Sequence, residues 1–289
     1  MVCADQDLLE PLKHLTTLTR MELSTEMIAS DDELYLPPSL SSLVALKEVR
    51  LSQGWALGAD DADSSSQVVQ HWTNLESLDL RRVLGKVPAW IAELTSLRHL
   101  AFSNTAEGPA TFLANATCLS ALPLESIYIE LDRRAEMWAG WGSFCNVLQA
   151  IPSLRAVELS NMDLSAARLA FSPQLTKLGL LDAQLQQVPA AVTSLPRLRH
   201  LDLCTNSFAG IPAGPYLETL QHLDLRCNSF LQHYPMQLLG AKELRRLLLP
   251  LRSENCRESE DEKQLRQHLE PRCTFEMVLY PDHDPEDLW

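Results

Sequence analysis

The sequence predicts an α/β solenoid, in which short repeated units stack side by side and share one apolar core. Three observations predict this fold. An L-x-x-L-x-L pattern recurs about ten times, a second apolar pattern that begins at a proline alternates with it, and the copies lie about 22 residues apart wherever no insert intervenes. One unit of this size cannot bury its apolar face alone, so neighbouring units are expected to stack.

The first pattern predicts one short β-strand in each repeat. It is clearest around RHLDLCTNSFAGIP (199–212), where Leu198, Leu201 and Leu203 are the three apolar positions. The last two are two residues apart, so both point to the same face of a strand. The ten copies begin at Leu18, Leu46, Leu75, Leu97, Leu124, Leu154, Leu175, Leu198, Leu220 and Leu244.

The second pattern predicts a short helical segment after several of the strands. An apolar residue and a proline are followed by apolar residues at +4, +7 and +10, a spacing that suits one side of a helix. Proline is tolerated in a first helical turn. The copies are LPPSLSSLVAL (36–46), VPAWIAELTSL (87–97), VPAAVTSLPRL (188–198) and the shorter IPAGPYLETL (211–220).

These two motifs together resemble leucine-rich repeats over about residues 15–250. The proline and the spacing after it are similar to the intracellular class related to Ras-interacting repeat proteins, including plant and algal members. The resemblance implies a curved horseshoe of about ten repeats. Parallel strands would line its concave face, and short helices or 3₁₀ turns would line its convex face.

The spacing between repeats predicts the domain organisation. Residues 1–14 are predicted to form an N-terminal capping segment, and Leu8, Leu9, Leu12 and Leu15 of DLLEPLKHL (7–15) share one side of a candidate helix. The solenoid covers 15–250, with inserts near 54–71 and 131–150, and a C-terminal cap covers 251–280. That cap combines a charged helix (257–270) with a last strand (273–280). Residues 281–289 form an acidic, flexible tail that could serve as a peptide ligand.

The two inserts differ in composition. The first contains GWALGADDADSSSQ (54–67), which predicts a mobile solvated loop or, alternatively, a phosphate acceptor. The second contains Trp138, Trp141 and Phe144, which predict a short helix packed onto the solenoid, with an exposed aromatic contact site as the alternative.

Composition excludes several classes of partner. Lys and Arg total 24 and Asp and Glu total 38 in 289 residues, a formal net charge of −14. Such a surface repels phosphate backbones and anionic lipids, so no nucleic acid partner is expected. No run of 18 apolar residues predicts a membrane span.

The start of the chain and its cysteines predict an intracellular, cytoplasmic protein. MVCADQDLLEPLKHL lacks the pattern of a signal peptide. The seven cysteines are odd in number and have no framework or metal spacing, as expected of free thiols in a reducing compartment.

No enzyme signature is present, which predicts a protein without catalytic activity or cofactor. The phosphate loop, G-x-G-x-x-G, H-E-x-x-H and G-x-S-x-G patterns are all missing. One alternative is a metal site, because His200, His222, Asp202 and Asp224 would share one face of adjacent strands. Solvated polar side chains are the interpretation we favour, and no metal is predicted.

The turn after each strand contains one further position of interest. Asn206 and Asn228 are placed there so that each amide can satisfy backbone groups of adjacent coils. The other repeats have Val83, Thr105, Asp132, Met162 and Ala183 at this position.

Aligning the repeats gives a map of the concave face, which is the set of residues just before, between and just after the last two apolar positions of each copy. The signs of charge alternate along it, and the face suits a folded protein partner better than a small molecule. The predicted partner-binding residues are Arg81, His99, Tyr128, Glu158, Lys177, Leu181, His200, Asp202, His222, Asp224, Arg226 and Arg246.

The sequence therefore predicts a non-enzymatic interaction scaffold or regulatory subunit that binds a folded protein through this face. The resemblance suggests work within a signalling or enzyme complex. A substrate-recognition subunit of a ubiquitin ligase is the alternative, although residues 1–17 are short for a typical F-box. A metal-dependent enzyme at the histidine and aspartate cluster is the other alternative.

Overall fold

A computed structural model describes residues 9–24, 36–52, 55, 64–81, 87–104, 113, 116–131, 140–231, 235–250 and 260–278. Their strands form a single parallel sheet in which each strand pairs with the next one along the chain. The strands are β1 Arg20–Ser24, β2 Glu48–Ser52, β3 Ser77–Arg81, β4 His99–Asn104, β5 Ser126–Leu131, β6 Ala156–Ser160, β7 Lys177–Leu181, β8 His200–Asp202, β9 His222–Asp224, β10 Arg246–Pro250 and β11 Thr274–Val278. The predicted α/β solenoid is confirmed.

The register of the sheet is the one that the repeat alignment predicts. Each first strand residue lies opposite the corresponding residue of the next repeat, as Lys177 does opposite His200 and His200 opposite His222. The first ten strands belong to the ten predicted repeats, and β11 lies within 273–280 and pairs with β10. The alternation of buried and outward residues therefore holds the same phase across the whole sheet.

Short helical segments follow most strands. The α-helices are α1 Ser64–Val69, α2 Trp141–Gln149, α3 Ala190–Thr193, α4 Tyr216–Thr219 and α5 Glu260–Leu269. The 3₁₀ segments are Glu10–His14, Pro38–Ser42, Ala89–Glu93, Ala116–Ala121 and Met236–Gly240. Pro37 and Pro88 lie just before their 3₁₀ segments, with extended backbone and φ of −69° and −71°. The proline therefore fixes the entry into the segment, and the segment begins after it.

The two apolar patterns meet in one core. Leu78 and Leu80 of β3, and Leu94 and Leu97 after Ala89–Glu93, are all at most 1% exposed. Burial of a leucine side chain stabilises the fold by about 1.5–3 kcal/mol. Trp72 also links neighbouring repeats, because its Nε1 donates a hydrogen bond to the Leu40 carbonyl at 3.2 Å.

The turns after β6 to β9 share one backbone feature. Besides Gln184 (56°) after β7, one residue at a shared position of each turn has positive φ: Asn161 (59°), Asp182 (44°), Thr205 (57°) and Cys227 (55°). These residues recur with the period of the repeat, and each immediately precedes the position where Asn206 and Asn228 lie. The left-handed residue turns the chain away from the strand so that the following side chain enters the core side of the turn.

Both asparagines bond backbone groups of neighbouring coils, as predicted. Asn206 accepts hydrogen bonds from the backbone N–H groups of Ala183 and Leu185, and its Nδ2 donates to the Leu180 carbonyl at 2.7 Å. Asn228 does the same from the next repeat, accepting from the N–H of Phe208 at 3.1 Å. At the same position Met162 and Ala183 are buried apolar residues.

The second insert packs onto the solenoid. Trp141 and Phe144 lie on α2, are 1% and 3% exposed, and contact each other edge to face at 6.3 Å. The packed-helix interpretation is confirmed for these two residues, and the exposed-contact alternative is wrong for them. Trp138 lies outside the described residues, as does most of 54–63 in the first insert, apart from buried Trp55.

The two ends of the solenoid differ. Near the N-terminus a 3₁₀ turn stands where a helix with one apolar side was predicted. Leu9 and Leu12 pack against the core, but Leu15 is 47% exposed. Leu8 and the tail 281–289 lie outside the described residues. At the other end, Leu265 and Leu269 of α5 are fully buried.

Within the described ranges, the helices are too short or too polar to span a bilayer.

Candidate functional site

The candidate site is the concave face of the sheet. The register sets its side chains in rows across the strands, with row neighbours about 4.8 Å apart. The middle row consists of Glu22, Arg50, Asp79, Ala101, Tyr128, Glu158, Gly179, Asp202, Asp224, Leu248 and Glu276. The face divides into an N-terminal part on β1–β4 and a central part on β5–β9.

In the N-terminal part the charges are paired. Buried Asp79 lies between two arginines, with its Oδ2 at 2.9 Å from Arg50 Nε and at 3.0 Å from Arg81 Nε. Arg20 pairs with Glu48 at 3.5 Å. These strands carry three arginines and three carboxylates on the concave face, so their charge is balanced.

Tyr128 and Glu130 of β5 begin the central part. The Tyr128 hydroxyl donates a hydrogen bond to Glu130 Oε2 at 3.0 Å, and Asn161 Nδ2 donates to Glu130 Oε1 at 3.2 Å. Burial and then the Glu130 charge raise the pKa of the Tyr128 hydroxyl, which therefore stays protonated and a donor. Tyr128 is half-buried and remains accessible as a contact.

Gly179 shapes the next strand. A Cβ atom at this position would lie 2.8 Å from Glu158 Cγ and 2.8 Å from Leu181 Cδ1. Glu158 and Leu181 therefore fold over the glycine from both sides. Leu181 is only 6% exposed as a result. Its place among the predicted partner-binding residues stays a prediction, with little of the side chain at the surface.

Glu158 is a poorly solvated carboxyl group. Burial, opposed by the Lys177 charge and assisted by the Glu130 charge, raises its pKa to about 7. Desolvation thus outweighs the attraction of the lysine. The Glu158 carboxyl group therefore gains or loses its proton near neutral pH.

His200 and His222 stack on adjacent strands, with ring centroids 4.4 Å apart and planes 18° apart. Burial first, and then the neighbouring His222, lower the pKa of His200 to about 4. Burial also lowers the pKa of His222, with help from Arg246. Both imidazoles are neutral at pH 7, and each ring covers one face of the other.

Asp224 and Arg226 form a buried ion pair, each with a side chain 10% exposed. Arg226 Nη2 lies 2.6 Å from Asp224 Oδ2, and its Nε lies 2.8 Å from the same oxygen. Asp202 lies beside this pair, and burial and then the Asp224 charge raise its pKa. Little of Asp224 and Arg226 is therefore open to a partner, and their place among the predicted partner-binding residues stays a prediction.

A metal-type group is present, in which Cys204 joins the two predicted aspartates and the two predicted histidines take no part. Oxygens of Asp202 and Asp224 and the Cys204 sulfur lie within 4.8 Å of one another, whereas the two imidazoles stack on each other. The pKa of the Cys204 thiol is raised by burial, which disfavours the thiolate that metals bind. Because Arg226 already neutralises Asp224, this geometry does not favour the metal-dependent alternative.

The predicted contact residues thus separate into two sets. Partly or fully exposed on the concave face are Arg81, His99, Tyr128, Glu158, Lys177, His200, Asp202, His222 and Arg246. Buried are Leu181, Asp224 and Arg226. Gly179 is not among the predicted contact residues, although its lack of a side chain in a row of larger residues could be read from the sequence.

We expect Glu158→Gln to stabilise the protein at neutral pH but not in acid. Since the pKa is raised from 4.5 to about 7, the folded state keeps a proton there that the unfolded chain loses. Stability from this group is full below pH 4.5 and falls as the pH rises to about 7. Urea unfolding across this range should show a gain for Glu158→Gln that grows with pH. Glu22→Gln, an exposed member of the same row, is the control, and a pH-independent gain would contradict the account.

Comparison with known proteins agrees with the geometry. No protein-family model matches the chain. It is 28% identical over 223 residues to the human volume-regulated anion channel subunit LRRC8B, covering 71% of this chain and 24% of that protein. The chain therefore spans about a quarter of the length of this relative.

Two solved structures share the architecture. The TLR13–ssRNA13 complex aligns with a TM-score of 0.56 at 19% identity, covering 95% of this chain and 38% of that chain. The chain has the leucine-rich-repeat fold. The Toll–Spatzle complex from Drosophila aligns with a TM-score of 0.53 at 20% identity, covering 82% of this chain and 33% of that one. At these identities the likeness concerns the leucine-rich-repeat fold alone.

Proposed function

We propose that this leucine-rich-repeat chain is a non-enzymatic interaction module that binds a folded protein partner through its concave face. The extent of the concave face and the side chains on it are the observation that supports this proposal. Eleven strands in one sheet present rows of half-exposed polar and aromatic side chains. At about 4.8 Å per strand the face extends over roughly 48 Å, the scale of a protein surface rather than of a small ligand.

The composition of this face supports a protein over a nucleic acid. The chain carries a net charge of −14, and the centre of the face has more carboxylates than cations. A phosphate backbone would be repelled there. The TLR13 structure contains RNA and the Toll structure contains Spatzle, and the charge of this chain favours a protein as the occupant.

The thiols support a location inside the cell. The cysteines in the described ranges are Cys118, Cys145, Cys204, Cys227 and Cys273, and all of them are free. Burial raises the pKa of Cys145 to about 11, so this thiol is neutral and unreactive. Free thiols suit a reducing compartment. With the proline-initiated convex segments, they favour the intracellular, Ras-group-related class, and with it a scaffold or regulatory subunit.

Affinity capture from native extract tests this function. We expect the Tyr128→Ala/Arg246→Ala variant to retain less than about a tenth of the partner that the unchanged chain captures, because aromatic and arginine side chains anchor interfaces. Arg226 is left unchanged because its removal would disturb folding.

The matched control is Phe230→Ala/Arg168→Ala, which removes the same residue types from exposed positions away from the concave face. It should retain the partner. A partner lost by the control and kept by the concave-face variant would contradict the proposal. Ligase core subunits among the captured proteins would instead favour the ubiquitin-ligase alternative.

A further inference from the structure

The central part of the concave face has more carboxyl groups than cations. Strands β5–β9 carry four carboxyl groups (Glu130, Glu158, Asp202 and Asp224) and two cations (Lys177 and Arg226). The difference is two, since both imidazoles are neutral at pH 7. Arg226 is already held by Asp224. In β1–β4, by contrast, three arginines match three carboxylates.

The excess is concentrated around Gly179. In the register, Glu158 and Asp202 lie on either side of this glycine, about 10 Å apart between their Cα atoms. Because Gly179 has no side chain, Glu158 folds across its strand toward β8. Glu158 is near enough for its charge to raise the pKa of Asp202. The two carboxyl groups therefore lie on either side of Gly179, and the space above this glycine is filled by Glu158 and Leu181.

The stacked histidines lie directly beside these groups. His200 precedes Asp202 by two residues on the same face of β8, and His222 stands in the same relation to Asp224 on β9. Each ring is only part-buried, so the pair offers a neutral aromatic surface to a partner. We call Glu158, Asp202, His200 and His222 the central patch.

These features complement one side chain better than any other. A guanidinium group is planar and positively charged, binds carboxylates through two parallel N–H donors, and stacks on flat rings. A lysine ammonium has the charge but neither the planar fork nor the stacking face.

We propose that the central patch docks an arginine side chain of the protein partner, with its guanidinium bonded to Glu158 and Asp202 and stacked on His200. The inference rests on the proposed function, because it names the chemistry by which the partner occupies the concave face. The arginine adds a cation to the part of the face where carboxyl groups outnumber cations.

The direct test is an NMR titration of the full chain with a blocked Gly-Arg-Gly peptide, following the imidazole signals of His200 and His222. We expect saturable shifts with a Kd on the order of 1 mM, since a single side chain makes the contacts. The matching lysine peptide should bind several-fold more weakly. The citrulline peptide, which keeps the shape and lacks the charge, should leave the signals unchanged.

Three variants locate the binding. Glu158→Gln and Asp202→Asn should each weaken binding of the arginine peptide by roughly tenfold, since each loses one charge-assisted contact. Both substitutions are nearly isosteric. The amide oxygen that Asp202→Asn introduces can still accept the Cys204 N–H, which Asp202 Oδ1 accepts at 2.9 Å. Glu22→Gln, in the same row on β1, should bind the peptide as the unchanged chain does.

Several results would overturn the inference. One is the absence of saturable shifts with the arginine peptide, and another is equal binding by the citrulline peptide. If Glu22→Gln weakened binding of the arginine peptide equally, the peptide would be held by long-range electrostatic attraction and not by the central patch. The capture experiment separates this failure from that of the proposed function. If the partner is lost by Tyr128→Ala/Arg246→Ala but kept by Glu158→Gln and Asp202→Asn, concave-face binding stands and arginine docking is wrong.

Discussion

Replacing Asn206 with alanine is expected to lower the free energy of unfolding by roughly 3 kcal/mol, because several buried backbone groups lose their partner at once. The side chain accepts two backbone N–H groups and donates to three carbonyls, those of Leu180, Leu203 and Cys204. Asn206 is 7% exposed, so water cannot easily replace these bonds. Urea unfolding followed by circular dichroism measures the loss.

Asn74→Ala is the matched control for this prediction. Asn74 is exposed and makes a single hydrogen bond, from its Nδ2 to the Val44 carbonyl at 3.0 Å. Its removal should cost about 0.5–1 kcal/mol. Equal losses in the two variants would mean that the bonds between coils contribute no more than a surface contact, contrary to the account of the turns.

Arg226→Ala is expected to cost about 3 kcal/mol, the lower end of the range for breaking a buried ion pair by removing one partner. The substitution leaves the Asp224 carboxylate beside Asp202 without its guanidinium. Asp224→Asn/Arg226→Ala should recover part of the loss, because it removes the uncompensated charge. Chemical unfolding of the single and double variants provides the measurement.

Arg246→Ala controls for loss of an arginine from the concave face. Arg246 is half exposed and lies 3.5 Å from Glu276, so its removal should cost no more than about 0.5 kcal/mol. If Arg226→Ala is as mild as Arg246→Ala, the buried pair is not a structural element. Arg226 would then return to the set of available contact residues.

The fold could be predicted from the sequence because its periods are strict. In L-x-x-L-x-L the two leucines of a strand must share a face, and the repeat length then fixes which residues of neighbouring strands lie opposite each other. The register from Arg20 to Arg246 follows from these two rules alone. Asn206 and Asn228 were also predictable, since a side-chain amide has both a carbonyl acceptor and two N–H donors and can bond several backbone groups at a buried turn.

The burial of individual side chains on the concave face could not be predicted in the same way. Whether Leu181 is exposed depends on the missing side chain of Gly179, two residues earlier. Arg226 is buried because it bends back to the residue two positions earlier on the same face, Asp224. The burial of Leu181 and that of Arg226 each depend on contacts with neighbouring residues on the same face of the sheet. The repeat period specifies the positions of these side chains but not which neighbour each one contacts.

We propose that a protein partner covers the concave face. Hydroxyl-radical footprinting of the chain, with and without its captured partner, measures this directly. We expect the partner to protect Tyr128, His200 and His222 on the concave face. Phe230 and Val44, which are 59% and 48% exposed elsewhere on the solenoid, should be labelled equally in both states. Protection of Phe230 or Val44, with Tyr128 and the two histidines labelled as in the free chain, would contradict the claim.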